Sequence, residues 1–213
     1  MPDARKPGQK YEDGDLRAAL LEATETLVGK HGPNAVSLRE VARMAGVSHG
    51  APAYHFGDKR GLFAAFASDG WARMGATILE ELERRSPENA AAMLAAIGDA
   101  YIDFALRNPG RFDVMFRRDL FDLENPAYVA EGDAAWSLLD ETIQRAVEEG
   151  RAEAAEADDL AFMAWSMVHG FAALWNSGRV ASRKEKLDPR ALAKRMNAMF
   201  VREVMTKKKG RSG

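Results

Sequence analysis

The chain has 213 residues and no cysteine; 46% of its residues are hydrophobic and 29% charged, with 30 Lys and Arg against 32 Asp and Glu. That composition supplies a buried core and excludes a disordered chain, a collagen-like repeat and a disulfide scaffold. Without thiols, thiolate nucleophiles, zinc–thiolate sites and iron–sulfur ligation drop out, and a reducing compartment, the cytoplasm, is the expected location.

Residues 1–12 are charged and lack the apolar run of a signal peptide, so they read as a flexible arm. The richest apolar stretch, Leu160 to Trp175, is interrupted by Ser166, His169 and Gly170, and no membrane partner is expected. Apolar residues recur at three-to-four spacing, as in Met93, Ile97, Tyr101 and Phe104, and no strand alternation competes with it. Ser86-Pro87, Asn108-Pro109, Asn125-Pro126 and Asp188-Pro189 each place a capping side chain before a proline that tolerates the first helical position. The pattern predicts an all-α fold with helices over 15–31, 37–45, 48–54, 58–85, 87–107, 109–117, 126–149, 157–177 and 189–206. Residues 118–125 and 178–187 read as exposed connections, and the basic tail 207–213 as a fraying end.

Charge is distributed unevenly. Residues 1–60 hold nine Lys and Arg against eight Asp and Glu, net +1, whereas residues 61–213 hold 21 against 24, net −3. A segment at +1 is a weak electrostatic footprint for a nucleic-acid binder, so such a reading has to rest on a motif.

The motif lies between Val36 and Lys59. Ser37 with Glu40 three residues later forms a capping box that starts a helix with Leu38, Val41, Ala42 and Ala45 inward. Gly46 suits the left-handed residue that ends such a helix, Val47 plugs the core, and Ser48 is placed to cap a second short helix. Two helices crossing steeply in this way form a helix-turn-helix, whose second member enters a major groove about 12 Å wide. Pro52 is awkward there, since a helix capped at Ser48 would need its missing N–H.

The helix Ser37–Ala45, the turn Gly46-Val47-Ser48, the pair His55-Phe56 and Asp58-Lys59 at the opening of the next helix resemble the TetR family of transcriptional regulators, over roughly residues 13–66. The resemblance implies DNA contacts from Ser37, Arg39, Ser48, His49, Gly50, Ala51, Tyr54, His55 and Lys59. Arg39 would reach a base or a phosphate, or else be a solvated helix charge. His49, Gly50 and Ala51 would sit at base edges, although His49 as an ordinary surface residue remains open. Tyr54, His55 and Lys59 would hold phosphates. Phe56 and Val47 read as core. The family usually carries Tyr two positions before the His-Phe pair, where this chain has Ala53 followed by Tyr54.

The resemblance further implies a division into a DNA-binding domain over 13–60 and an effector-binding and dimerisation domain over 61–206. Homodimerisation would use residues 157–177 and 189–206, the latter offering Leu192, Met196, Met199, Phe200 and Val204 on one side. Trp165, His169 and Gly170 resemble a motif of one group of such C-terminal domains, placing His169 in or beside an effector pocket. The competing reading is a packed Trp and a satisfied core His. Tyr101, Phe104, Phe112, Met115, Phe116, Trp136 and Met163 are the other lining candidates, suited to an apolar or aromatic small-molecule effector. No cofactor or metal is expected: HExxH and Gly-rich phosphate-loop motifs are absent, and so is any pairing of nucleophile with base, which argues against an enzyme. The alternative function is an all-α dimeric ligand-binding or interaction protein that has lost sequence-specific DNA binding.

Overall fold

A computed structural model describes residues 13–179 and 187–205; the arm 1–12, most of the connection 178–187 and the tail 207–213 lie outside the described residues. Among the described residues the chain is all-α: α1 (Asp13–His31), α2 (Leu38–Ala45), α3 (Ala51–Phe56), α4 (Lys59–Arg85), α5 (Ala90–Arg107), α6 (Pro109–Met115), α7 (Pro126–Glu148), α8 (Ala157–Asn176) and α9 (Pro189–Val204). Two 3₁₀ turns, Pro33–Ala35 and Ala154–Glu156, lie between them. None of these helices is long and apolar enough to cross a membrane.

Most ends fall within two residues of the sequence expectation, and two starts differ for a physical reason. Ser86-Pro87 does not open α5; Asn89 does, its side chain accepting the Ala92 N–H, while Ser86 sits at φ +45°. α3 begins at Ala51 with Gly50 in the cap position, two residues later than the Ser48 cap implied. Pro52 explains the delay: in the first turn its missing N–H has no carbonyl to satisfy, so the helix runs undistorted to Phe56. Asn125 and Asp188 do cap α7 and α9, accepting from Ala127 and Arg190 N–H groups at 3.2 and 3.0 Å.

The chain divides into two compact units. One holds the chain up to Gly70 together with Gly110–Ala130; the other holds Trp71–Pro109 and the chain from Glu131 onward. The first unit therefore extends beyond the boundary at residue 60 read from sequence, taking in the start of α4, α6 from Gly110 onward and the start of α7. Its buried residues include Leu20, Leu27 and Val28 of α1, Val41 and Ala42 of α2, Leu62, Phe63 and Phe66 of α4, and Phe112, Val114 and Met115 of α6. Arg111 ties three of these helices together. Its side chain is 0% exposed and reaches Glu25 of α1 at 2.8 Å, with Asp69 and the Phe66 carbonyl of α4 as further partners.

The second unit is built round α5. Ala90 and Leu94 of α5 share a core with Leu139, Ile143 and Ala146 of α7, Leu160, Ala161 and Ala164 of α8, and Val201 and Met205 at the end of α9. α8 runs parallel to α5, with His169 beside Tyr101 and Asn176 donating to the Ala105 carbonyl at 3.0 Å. α9 runs antiparallel, since Arg190 meets Asp103 at 2.9 Å and Asn197 meets Ala95 and Asp99.

Candidate nucleic-acid interface

Ser37 has extended dihedrals, and its Oγ accepts the Glu40 N–H at 3.3 Å, as the capping box requires. The return arm differs from the usual box, because the Glu40 carboxylate accepts from the Ser37 hydroxyl at 2.9 Å. At the other end Gly46 adopts φ 69° and ψ 30°, and Val47 N–H donates back to the Ala42 carbonyl at 3.0 Å while Gly46 N–H reaches Arg43. This pair of bonds is a Schellman closure, and its left-handed residue favours glycine. α2 is thus fixed at both ends by local chemistry.

The turn to α3 runs through Ser48, His49 and Gly50, all exposed. Ser48 contributes its carbonyl to the Ala51 N–H at 3.1 Å, and α3 has no side-chain cap. α3 buries only Pro52, leaving Ala53 and Tyr54 outward, with Tyr54 81% exposed. His55 is half-buried and meets the Tyr54 ring edge-on at 5.3 Å between centroids. Phe56 and Val47 are half-buried, and the Arg17 guanidinium of α1 lies 5.7 Å from the centre of the Phe56 ring. Asp58 caps α4 by accepting the Gly61 N–H at 2.8 Å.

Among the cations, Arg39 is exposed on α2 and Arg43 is exposed one turn further on. Arg43, Arg60 and Arg17 were not singled out from sequence; Arg43 could have been, from its four-residue spacing to Arg39. Lys59 is less exposed than its neighbour Arg60, donating to the Asn34 carbonyl at 2.9 Å with its ammonium 5.6 Å from the centre of the Phe63 ring. An ammonium has three donors, so this bond leaves capacity for a phosphate while holding the Pro33–Ala35 turn against the start of α4.

The pocket candidates separate. Phe112 and Met115 are buried in the first unit and Phe116 packs on Phe112 at 5.1 Å. The other six belong to the second unit. There Tyr101 Oη and His169 Nδ1 are 2.9 Å apart, the Trp165 indole N–H donates to Tyr101 Oη at 3.4 Å, and Trp136 stands edge-on to Trp165 at 5.6 Å. Phe104 is buried in α5, whereas Met163 is exposed and lines a groove of about 780 Å³ beside the α7–α8 junction with Leu160 and Val204. Among the described residues no cluster of His, Asp and Glu suits a metal ion.

Two family profiles match the chain. The profile for bacterial regulatory proteins of the tetR family covers residues 20–66, and the tetracyclin repressor-like C-terminal domain profile covers residues 94–200, half of the chain. The chain belongs to the TetR family. Over 64 residues it is 38% identical to the HTH-type transcriptional repressor AcnR of Corynebacterium efficiens, a match covering 30% of this chain and 34% of AcnR. Over 87 residues it is 32% identical to the HTH-type transcriptional regulator BetI of Yersinia pestis, covering 41% of this chain and 44% of BetI. These matches span less than half of either relative. A solved structure of a protein of unknown function from Rhodococcus sp. RHA1 superposes with a TM-score of 0.78 at 29% identity, covering 93% of this chain and all of that one.

In this TetR-family chain the cluster at His169 has a pH consequence. Burial pushes the His169 pKa below its ordinary value of 6.5. The unfolded chain therefore takes up this proton at a higher pH than the folded one, and stability rises with pH across that interval. On acidification the loss begins as pH falls through about 6.5 and levels off below the folded pKa. His169→Gln is expected to flatten this share of the melting-temperature profile between pH 8 and pH 5, measured beside wild type by thermal unfolding.

Proposed function

We propose that this protein is a transcriptional repressor that binds a palindromic operator as a homodimer and is released by a small apolar or aromatic effector. The observation that carries the reading is the α2–turn–α3 unit, closed at both ends of α2 and presenting a surface of small residues around His49, Gly50, Ala51 and Ala53 with Tyr54 projecting from it. Small side chains let the backbone approach base edges, an alanine methyl suits a thymine methyl, and the exposed Tyr54 would take over the phosphate contact of the tyrosine missing at 53. Ser37, Ser48, His55 and Lys59 would serve the backbone, joined by Arg39, Arg43 and Arg60. The naming of AcnR as a repressor and BetI as a regulator supports the same role, in the cytoplasm with the DNA.

A palindrome requires two heads. The exposed apolar side chains Phe162, Met163 and Leu174 of α8 and Met196 and Met199 of α9 support a dimer formed through those two helices. The effector would act at the Tyr101, Trp136, Trp165 and His169 cluster, with His169 and Tyr101 orienting its polar group. Release would follow when ligand alters the separation of heads that read half-sites about 34–36 Å apart.

The second reading, a dimeric ligand-binding protein without operator recognition, is favoured by one feature: α3 carries no Lys or Arg. Selection of bound duplexes from a random pool, followed by titration at several salt concentrations, separates the two. With about six phosphate contacts per dimer, affinity is expected to fall about 10³-fold between 50 and 200 mM salt. Absence of duplex binding at 50 mM would decide for the second reading.

A further inference from the structure

We infer that Asn197 is the positioning residue that fixes the register of α9 against α5, and through it the subunit arrangement on which operator spacing depends. The operator part of this inference rests on the function proposed above; the register part does not.

The buried stripe of α9 is Ala193, Asn197 and Val201, followed by Met205, a four-residue repeat whose apolar members are small at its start. Of the larger apolar residues, Met196 and Met199 face outward, while Phe200 and Val204 pack partly against the core near Met205 at the far end of the helix. Along the first half of α9, where the seam is Ala193 and Asn197, apolar packing offers α5 little shape to grip and does little there to fix the register. Asn197 supplies the direction that packing lacks. It is 2% exposed, and its Nδ2 donates to the Ala95 carbonyl and to Asp99 Oδ1, both at 2.8 Å. Those two donations use both N–H bonds of the amide.

The partners of the amide are held in turn. Asp99 Oδ2 accepts from Arg85 Nη2 at 2.8 Å, and Arg85 Nε donates to Glu81 Oε1, so the polar chain runs from α9 through α5 to the end of α4. α5 also makes room: a Cβ at Gly98 would lie 2.6 Å from Asn197 Oδ1 and 2.8 Å from Nδ2. Ala95, Gly98 and Asp99 thus form a seat matched to one amide at one height along α5. Sliding α9 by a turn, about 5.4 Å, would leave that amide and Asp99 Oδ1 buried without each other, which costs far more than the satisfied pair contributes to stability. A buried polar residue in an otherwise apolar seam is known to select register in helix pairs at little gain in stability.

The register matters because the outer face of α9, with Met196 and Met199, is half of the surface assigned to the second subunit. A slipped α9 presents the same side chains displaced along the interface, and the dimer then accommodates more than one arrangement.

Two readouts test this beyond stability. Because the chain has no cysteine, Glu83→Cys with Arg195→Cys gives two unique spin-label sites on α4 and α9, and dilution with unlabelled protein isolates the distance within one chain. Wild type is expected to give one narrow distance distribution. Asn197→Leu is expected to broaden it or add a second peak, with a lower melting temperature because Asp99 Oδ1 and the Ala95 carbonyl lose their donor. Asn197→Ala, which only deletes atoms, is expected to do the same and serves if the leucine variant does not fold. Gly98→Ala should broaden the distribution in wild type and be neutral beside Asn197→Ala.

In the second readout, the duplex recovered by selection is remade with one base pair inserted between its half-sites. Wild type is expected to lose about tenfold in affinity and Asn197→Leu less than about threefold. A single narrow distribution in both Asn197 variants, superimposable on wild type, overturns the inference, as does undiminished spacing discrimination in Asn197→Leu. Wild type that binds no duplex, yet shows the register change in the variants, defeats the operator reading and its spacing consequence while the register assignment stands.

Discussion

Arg111→Ala is expected to destabilise the first unit by about 3–5 kcal/mol, a fall in melting temperature on the order of 10 °C, and to abolish duplex binding with it. Arg111 is the largest fully buried side chain among the described residues, and its guanidinium is engaged on several sides. Nη2 and Nε span the Glu25 carboxylate at 2.8 and 3.4 Å, Nη1 reaches Asp69 and the Phe66 carbonyl, and the cation lies 4.1 Å from the centre of the Phe66 ring. Alanine removes all of this at once, opening a cavity and leaving two carboxylates facing each other without the cation between them. The Glu25 and Asp69 side chains are 36% and 25% exposed, so water recovers part of their solvation and caps the loss. Arg111→Met separates the contributions. It keeps most of the volume and loses the charge, and is expected to cost about half as much. Arg111→Lys has no fork to span Glu25 and reach Asp69 together and should fall between the two. Equal melting temperatures for wild type and the alanine variant in thermal unfolding would remove Arg111 as the tie between α1, α4 and α6.

That tie also shows where sequence reading stops. Arg111 stands in the run Pro109-Gly110-Arg111-Phe112, where an arginine two residues into a short helix reads as a surface charge. Its carboxylate partners lie 86 and 42 residues away in the chain, so nothing local announces that it is buried or that residues 110–130 belong with the head. Features set by neighbours were legible: Ser37 with Glu40 gave the start of α2, Gly46 its end, and Asn125 and Asp188 the starts of α7 and α9.

Where two local signals competed, the weaker one misled. Ser48 and Ser86 both look like caps, but Pro52 moves the start of α3 to Ala51, and Asn89 directly precedes the alanine run of α5. Asn197 was missed for the opposite reason. Hydrophobic spacing singles out Leu192, Met196, Met199, Phe200 and Val204, of which Met196 and Met199 are exposed, while a polar residue, Asn197, sits in the buried seam where no apolar pattern points to it. For the pocket, helical spacing identified apolar residues correctly but not their neighbours. Phe112 and Met115 fill the core of one unit, while Tyr101, Trp165 and His169 meet in the other.

Gly61→Ala is expected to remove operator binding altogether, through the corner between α3 and α4. Gly61 sits in the first turn of α4, where its N–H donates to Asp58 Oδ1 at 2.8 Å. A Cβ built there would overlap the Phe56 carbonyl oxygen and lie 3.1 Å from its carbon. The obstacle is backbone, so no rotamer change relieves it. The carbonyl is also occupied, accepting the Asp58 N–H at 2.9 Å, and Phe56 is the last residue of α3. Relief therefore requires α3 to shift as a body or the Asp58 cap to open. Overpacking of this kind costs about 1–3 kcal/mol, with backbone obstacles at the upper end. On the function proposed above, the functional effect exceeds the loss of stability because bidentate and phosphate contacts tolerate little displacement: moving α3 relative to α2 would separate Ala51 and Tyr54 from Arg39 and Arg43, which would have to reach the same duplex. Gly61→Ala should remain folded and dimeric, with a melting temperature lower by several degrees and duplex affinity reduced at least to the level of non-specific binding. A Gly61→Ala protein that binds the selected duplex as wild type does would show that the α3–α4 corner does not set the position of the recognition helix.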